Sequence, residues 1–432
     1  MLLAFLLLAG VADWVPARWH SADPKSLELV AQTPINCLLL ERAAWKPEFL
    51  AAATSRSIVT LGVIRPGEAA DDAAGLTGWV LEGDFQAPVT AKLPVIELPL
   101  RSAVRPGAPV AGTFQGLWPG IHVEKDGVAK AAPTGAPWID TNAGYLRFLR
   151  STTAAPMWIA CTPPPKNVIP VERYLTAIGD AAMAGARWVL SLDPEFEKRL
   201  LAGDDKALAA WRRIAAHLKF YEDHKDWRDL RPAGQLAIVL DPATGALLSG
   251  GILDMIGARQ IPVRPVPESR LTDEAVTGAK LAVNVTGETG EVLRRFTRGG
   301  GTLLTPPPGW KLPTLKPGDI TLDEKELGKL DTVFRDVNSL VGRRNLGVRL
   351  FNVSSMLSSF TASAGGKRLV LHLVNYSAYP VEDITVHLLG RHTRARLLQP
   401  EFPPKDLSPY PIEDGIGLEI SRVATVAALE IE

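Results

Sequence analysis

The sequence predicts a multidomain α/β chain: a (β/α)8 TIM-like barrel, then a small α/β domain, then a C-terminal β-sandwich. Three observations predict it. The first two hundred residues hold eight short, nearly continuous apolar strands, the pattern of a parallel sheet covered on both faces. Strand and helix patterns then alternate briefly, as in a small doubly wound domain. From Leu346 the pattern changes to alternation with turn residues between the runs, which reads as a sandwich. The length of 432 residues suits two or three domains at roughly 150 residues each.

The apolar run Leu2–Ala12 comes first. It is shorter than the ~20 residues a membrane span needs. It matches the apolar core of a secretory signal, with Gly10 and Ala12 before a cut at Asp13, although no basic residue precedes it. Residues 1–12 are therefore read as a signal peptide of an exported chain, periplasmic or extracellular. A buried N-terminal helix is the alternative. No second long apolar run exists, so no stable membrane insertion is expected.

Residues 30–230 read as the barrel. Its strands are Ile35–Glu41, Ile58–Ile64, Gly78–Glu82, Pro94–Leu98, Gly112–Leu117, Pro137–Asp140, Met157–Cys161 and Trp188–Asp193. Helical stretches follow some of them: Pro47–Arg56, Thr141–Ser151, Val171–Ala184 and Asp204–Asp226. Pro47 suits a first helical turn. The connections at 83–93 and 99–111 are rich in Pro and Gly and lack a helical period. The barrel is thus a reduced one, shorter than the ~250 residues usual for the fold. Cys37 and Cys161 lie inside apparent strands and read as free core thiols.

Residues 233–310 carry strands Gln235–Asp241, Gln260–Val266, Lys280–Val285 and Gly301–Thr305, with helices Ala243–Ile256 and Gly287–Thr297 between them. Gly299-Gly300-Gly301 lacks the GxGxxG spacing of a dinucleotide site. Residues 311–345 form a connector. Residues 346–432 form the sandwich, with Arg368–Asn375 and Ile384–Leu389 alternating most cleanly.

Composition excludes several classes. Lys+Arg and Asp+Glu are both 47, so no basic excess drives nucleic-acid binding. Two cysteines exclude a disulfide scaffold and a four-cysteine zinc site. There is no G-x-S-x-G, H-E-x-x-H or P-loop motif. His217 and His224 lie seven apart on one predicted helix without acids at ligand spacing. No metal and no cofactor are expected.

In this order the three parts resemble the beta-galactosidase family of glycoside hydrolases known as family 42: catalytic barrel, flavodoxin-like domain, small sandwich. Phe296–Thr305, with its three glycines before a strand, and Leu369–Ser377 resemble the later domains of such enzymes. Gln115–Ile121 and Pro133–Asn142 are similar to barrel segments of uncharacterised bacterial glycosidase-like proteins. The resemblance implies a catalytic barrel and a middle domain able to make a homo-oligomer. It also implies an Asn-Glu pair after the fourth strand, and this sequence has no Asn-Glu dipeptide. Here the fourth predicted strand ends near Glu97.

Glycoside hydrolysis needs two carboxyl groups facing each other across the scissile bond. A barrel supplies them from strand C-terminal ends. Acids stand there at Glu41, Glu82 with Asp84, Glu97, Asp140, and Asp193 with Glu195. Asp140 and Asp193 are the first catalytic candidates and Glu82 the next. Asp140 and Asp193 also suit plain helix N-caps. Trp118 and Trp138 are candidate sugar platforms, with packing under loops as their other reading. Asn142, Gln115, Arg65 and Glu41 are candidate substrate-binding groups. The expected function is an exported glycoside hydrolase acting on oligo- or polysaccharide through two carboxylates. The alternative is a glycan-binding barrel relative that has lost the acid pair.

Overall fold

The computed structural model describes residues 10–70, 74–123, 129–131, 140–164, 167–240, 253–254, 260–286, 289–305 and 335–432. The chain is a mixed α/β multidomain protein with two compact units. One comprises Met1–Trp118, His122–Lys130 and Thr153–Lys225; the other comprises Pro119–Ile121, Ala131–Thr152 and Asp226–Glu432.

Among the described residues the first unit contains eight parallel strands: β1 (Pro16–Trp19), β2 (Cys37–Leu40), β3 (Val59–Ile64), β4 (Gly78–Glu82), β5 (Val95–Leu98), β6 (Ala111–Thr113), β7 (Met157–Ala160) and β8 (Ala186–Val189). Strands β1 to β5 pair in sequence order, and β6, β7 and β8 form a second parallel set. A parallel bridge from Ala17 to Leu190 joins the end of β8 to β1. On the other side, Thr113 Oγ1 donates to Pro99 O at 2.6 Å. A β-carbon on Gly112 would collide with Leu98, so the missing side chain lets β6 approach β5. The strands therefore run in ring order. Cys37-Leu-Leu-Leu40 is buried at every position, because one face meets the interior and the other is covered.

Strand β1 was not among the sequence-predicted strands. It is four residues long, carries Arg18, and follows the apolar run read as a signal. Its presence makes the strand ending at Glu82 the fourth and the strand holding Glu97 the fifth. The predicted strand Pro137–Asp140 lies outside the described residues except for Asp140, which is not in a strand. Cys161 follows β7 rather than lying within it. Cys37 and Cys161 are both free thiols.

Helix Pro47–Ser55 follows β2, Val171–Ala182 follows β7, and Pro194–Leu201 and Asp205–Asp223 follow β8. Among the described residues no α-helix lies between β3 and β6. Val11 and Trp14 pack with the interior residues of β2, β3, β4, β5, β7 and β8.

In the second unit four parallel strands, β9 (Leu236–Leu240), β10 (Val263–Pro267), β11 (Leu281–Asn284) and β12 (Thr302–Leu304), stand in the order β10-β9-β11-β12. The expected helix Ala243–Ile256 lies outside the described residues apart from Leu253 and Asp254. The strands from Val348 onward, together with Arg231–Pro232, form two antiparallel sheets, one of six strands and one of four. They share a core that includes Leu371, Leu373 and Leu429 from the larger sheet and Ile384, Val386, Leu418 and Ile420 from the smaller. Leu369–Asn375 alternates in sequence, yet every residue in it is buried. Its second face is covered too, with His372 edge-on to Trp227 at 5.1 Å.

Candidate active site

Side chains alternate across a strand, so the interior core fixes what stands above it. Cys37 and Leu39 face the interior from β2, Leu61 and Val63 from β3, and Val80 from β4. Two residues on from the last interior position of each are Glu41, Arg65 and Glu82. The same parity that buries the apolar layers delivers these three charged groups to the C-terminal rim. Arg18, on β1, pairs in register with interior Leu39 and reaches the same rim.

These four side chains form one network. Arg65 clamps Glu41 in both directions, Nη1 to Oε2 and Nη2 to Oε1, each at 2.7 Å. Its Nη2 also donates to Glu82 Oε2 at 3.1 Å. Arg18 Nη1 donates to Glu41 Oε1 at 3.2 Å, and Nη2 donates to Glu82 Oε1. Both carboxylates thus share both guanidiniums. Because one Arg65 nitrogen touches an oxygen of each, the two acids sit close together. The network is graded in depth: the side chains of Arg18 and Glu82 are 5% and 8% exposed, those of Glu41 and Arg65 30% and 43%. The Arg65 hydrogen bonds hold the Glu41 carboxyl below its ordinary range, against desolvation. Arg18 Nε is buried and has no partner among the described residues.

His20, just past β1, joins the rim. Its Nδ1 lies 2.8 Å from Glu197 Oε2, and its backbone N–H donates to Glu197 Oε1 at 3.2 Å. Glu197 sits in the first turns of helix Pro194–Leu201, so the contact spans the β8-to-β1 junction. The Glu197 hydrogen bond raises the His20 pKa, opposed by burial and by Arg18 and helped by Glu41. Cys161, past β7, is pushed up to about 12 by burial, with Arg101 and Arg18 lowering it. It is no ready nucleophile.

The remaining sequence-predicted residues have these places. Asp193 is fully buried: Oδ1 accepts from Phe196 N at 2.9 Å, and Oδ2 from Ile169 N at 3.1 Å and the Tyr174 hydroxyl at 2.8 Å. It caps its helix. Trp118 is buried, packed edge-on against Tyr174 and Trp188, each at 5.2 Å, with Nε1 donating to Thr162 O. That packing leaves no exposed ring face to offer. Gln115 Oε1 accepts from Arg101 N at 2.9 Å. Glu97 lies between interior Ile96 and Leu98, hence on the outer side, where it pairs with Arg105. Asp140 and Asn142 belong to the second unit. The Asp140 carbonyl accepts from Gly120 N at 3.0 Å, and the buried Asn142 carbonyl accepts from Leu146 N at 2.9 Å. Trp138 lies outside the described residues. The structure thus brings Glu41, Arg65 and Glu82 together.

Arg18, His20 and Glu197 were not singled out in the sequence. The parity argument would have found Arg18 once β1 was recognised. The His20–Glu197 pair carries no local signal, its members being 177 residues apart.

A cavity of about 350 Å³ opens beside this rim, between the loops after β4 and β5, lined in part by Asp84, Phe85, Pro88, Val89 and Arg105. Leu81 and Glu97 line it too, so it lies on the outer side of the strands.

No protein-family model matches the chain, and no curated protein matches it. Solved structures do. Alpha-L-fucosidase isoenzyme 2 from Paenibacillus thiaminolyticus superimposes with a TM-score of 0.60 at 8% identity, over 96% of this chain and 99% of that one. The fold is glycosidase-like. A rhamnosidase from Novosphingobium sp. PP1Y covers 88% of this chain and 38% of its own (TM-score 0.45, 13% identity). A GH42 beta-galactosidase from G. stearothermophilus covers 89% and 66% (TM-score 0.43, 11% identity).

Proposed function

We propose that the chain is a glycoside hydrolase acting on an oligo- or polysaccharide at the rim formed by β1 to β4. The observation that carries this reading is the pair Glu41 and Glu82, two carboxylates held close together at strand C-terminal ends. That is where barrel enzymes place their chemistry. The fold shared with the fucosidase along nearly its whole length supports the reading. The four-stranded parallel sheet and the two antiparallel sheets described above support dividing the chain into barrel, flavodoxin-like domain and sandwich, without tying it to family 42.

The grading in depth assigns roles. Glu41 faces the ligand and stays ionised against Arg65. Its Oε2 accepts one described bond, so a lone pair remains for the anomeric carbon. Glu82 and Arg18 lie behind it and fix its orientation. Arg65, half exposed, is a donor for sugar hydroxyls. The buried cap made by Asp193 reads as structural. Asp140 and Asn142 enter the reading only through their sequence positions. Export, supported by the Leu2–Ala12 run, and a homo-oligomer through the middle domain belong to the proposal as well.

The test is hydrolysis by the purified full chain of a panel of 4-nitrophenyl glycosides, including the α-L-fucoside, α-L-rhamnoside and β-D-galactoside, with oligosaccharides followed by mass spectrometry. The expected result is release of nitrophenol from one sugar class, lost at least 10³-fold in Glu41→Gln. A glycan that shifts the thermal midpoint with no product from any substrate would replace the enzyme with a glycan-binding barrel.

A further inference from the structure

Hydrolysis of a glycoside needs one group to give a proton to the leaving oxygen. In the rim network both oxygens of Glu41 and both oxygens of Glu82 already accept from arginine. A proton on any of these oxygens would compete with an arginine N–H already donating to it. The donor has to be another group on the same rim.

We propose that His20 is that proton donor, a role that rests on the hydrolase reading above. Three features of its geometry carry the assignment. Its Nδ1 is fixed by Glu197 at 2.8 Å, which sets the ring and leaves Nε2 without a partner among the described residues. Its side chain is 44% exposed, unlike the buried Arg18 and Glu82, so it can meet a ligand. It follows β1, next to the strand that presents Glu41. The charged groups facing it are Glu197 from helix Pro194–Leu201, Glu41 from the end of β2 and Arg18 from its own strand. Two acids against one base keep the imidazolium populated.

The step balances as follows. The proton on His20 Nε2 passes to the glycosidic oxygen. The bond from that oxygen to the anomeric carbon breaks, and its electron pair stays on the oxygen, which leaves as an alcohol. Glu41 Oε2 forms the new bond to the anomeric carbon. Water then takes the place of Glu41, giving its proton to the neutral His20 and restoring the imidazolium. Glu197 holds the ring throughout and is a positioning residue.

The experiment uses the full chain with aryl glycosides of whichever sugar the wild type turns over in the panel, carrying 2,4-dinitrophenyl, 4-nitrophenyl or phenyl leaving groups. In His20→Gln, kcat/KM for the phenyl glycoside is expected to fall about 10²- to 10⁴-fold, the range for loss of a general acid. The dinitrophenyl glycoside, whose leaving group needs no proton, loses less than about 10-fold. In Glu197→Gln the alkaline limb of the pH profile moves to lower pH, a readout that a merely structural role would not give. Equal losses for all three leaving groups, or an unmoved alkaline limb, overturn the assignment while leaving the hydrolase reading intact. A wild type inert on every glycoside overturns the hydrolase reading first and this role with it.

Discussion

Arg18 and Glu82 stand on the first and fourth strands of the ring, yet they form a direct ion pair that is almost fully buried. Two strands lie between them, so the pair reaches across the rim. Each member also binds a half-exposed partner, Glu41 or Arg65. The deep pair therefore anchors the shallow one.

Breaking a buried ion pair from one side leaves an uncompensated charge, which costs about 3–5 kcal/mol. Glu82→Gln is therefore expected to lower unfolding free energy by that order. Glu41→Gln, at the exposed end, should cost about 1 kcal/mol. Urea unfolding of both variants, followed by tryptophan fluorescence, checks the ranking. Equal losses would mean that the grading in depth carries no energetic weight.

The two shifted rim groups give opposite pH dependences. Glu41 is lowered from 4.5, so its contribution is present above that value and is lost as pH falls toward its folded pKa. Arg65→Gln should flatten the acid limb of stability below about pH 4.5. His20 is raised from 6.5, so its contribution is complete below 6.5 and is lost as pH rises through the folded value. Glu197→Gln should thus cost more stability at pH 5.5 than at pH 8.5, as thermal midpoints in matched buffers will show. The opposite order would exclude a charged His20–Glu197 pair.

Asp193 accepts three hydrogen bonds with no exposed surface. Asp193→Ala strands the Phe196 and Ile169 amides and the Tyr174 hydroxyl, at about 2–4 kcal/mol for a lost cap plus buried unsatisfied donors. The expected signature is a lower thermal midpoint with unchanged turnover per folded molecule. A large drop in kcat without a stability change would instead make Asp193 a chemical participant.

Val11 is buried against Trp14 and the strand interior, and Ala12 O accepts from Arg187 at 2.7 Å. A cut at Asp13 would remove both contacts. A chain beginning at Asp13 should lose about 2–3 kcal/mol relative to the full chain, mostly from exposing what Val11 covers. N-terminal sequencing of the protein recovered from an exporting host tests where processing stops; recovery of Asp13 as the first residue would show that Val11 is dispensable.

Legibility in the sequence followed burial. Strands such as Cys37–Leu40 and Gly78–Glu82 are covered on both faces and read plainly as apolar runs. Helices Pro47–Ser55 and Val171–Ala182 matched their predicted starts, where Pro47 and Pro170 punctuate the chain. Pro16-Ala-Arg-Trp19 did not read as a strand, because its inward position holds an arginine rather than an apolar residue. That one omission hid Arg18 and His20 and displaced the strand count. Glu41 and Glu82 were legible because each ends an apolar strand run, and Arg65 because it follows one. Which acids are neutralised by which arginines was not, since the pairing depends on how the strands curve round.

The ring closes where Arg18 N donates to Leu190 O at 2.7 Å and Leu190 N donates to Pro16 O at 3.2 Å. On a ribosome the two sides of that seam emerge far apart in time. At about 5–20 residues per second, the free edge of β1 waits roughly 10–35 s for Leu190. During that interval its amide groups are open to any passing strand. An arginine on a short first strand makes a poor template for mispairing, so the residue that hid β1 from the sequence also guards it while the chain is being made.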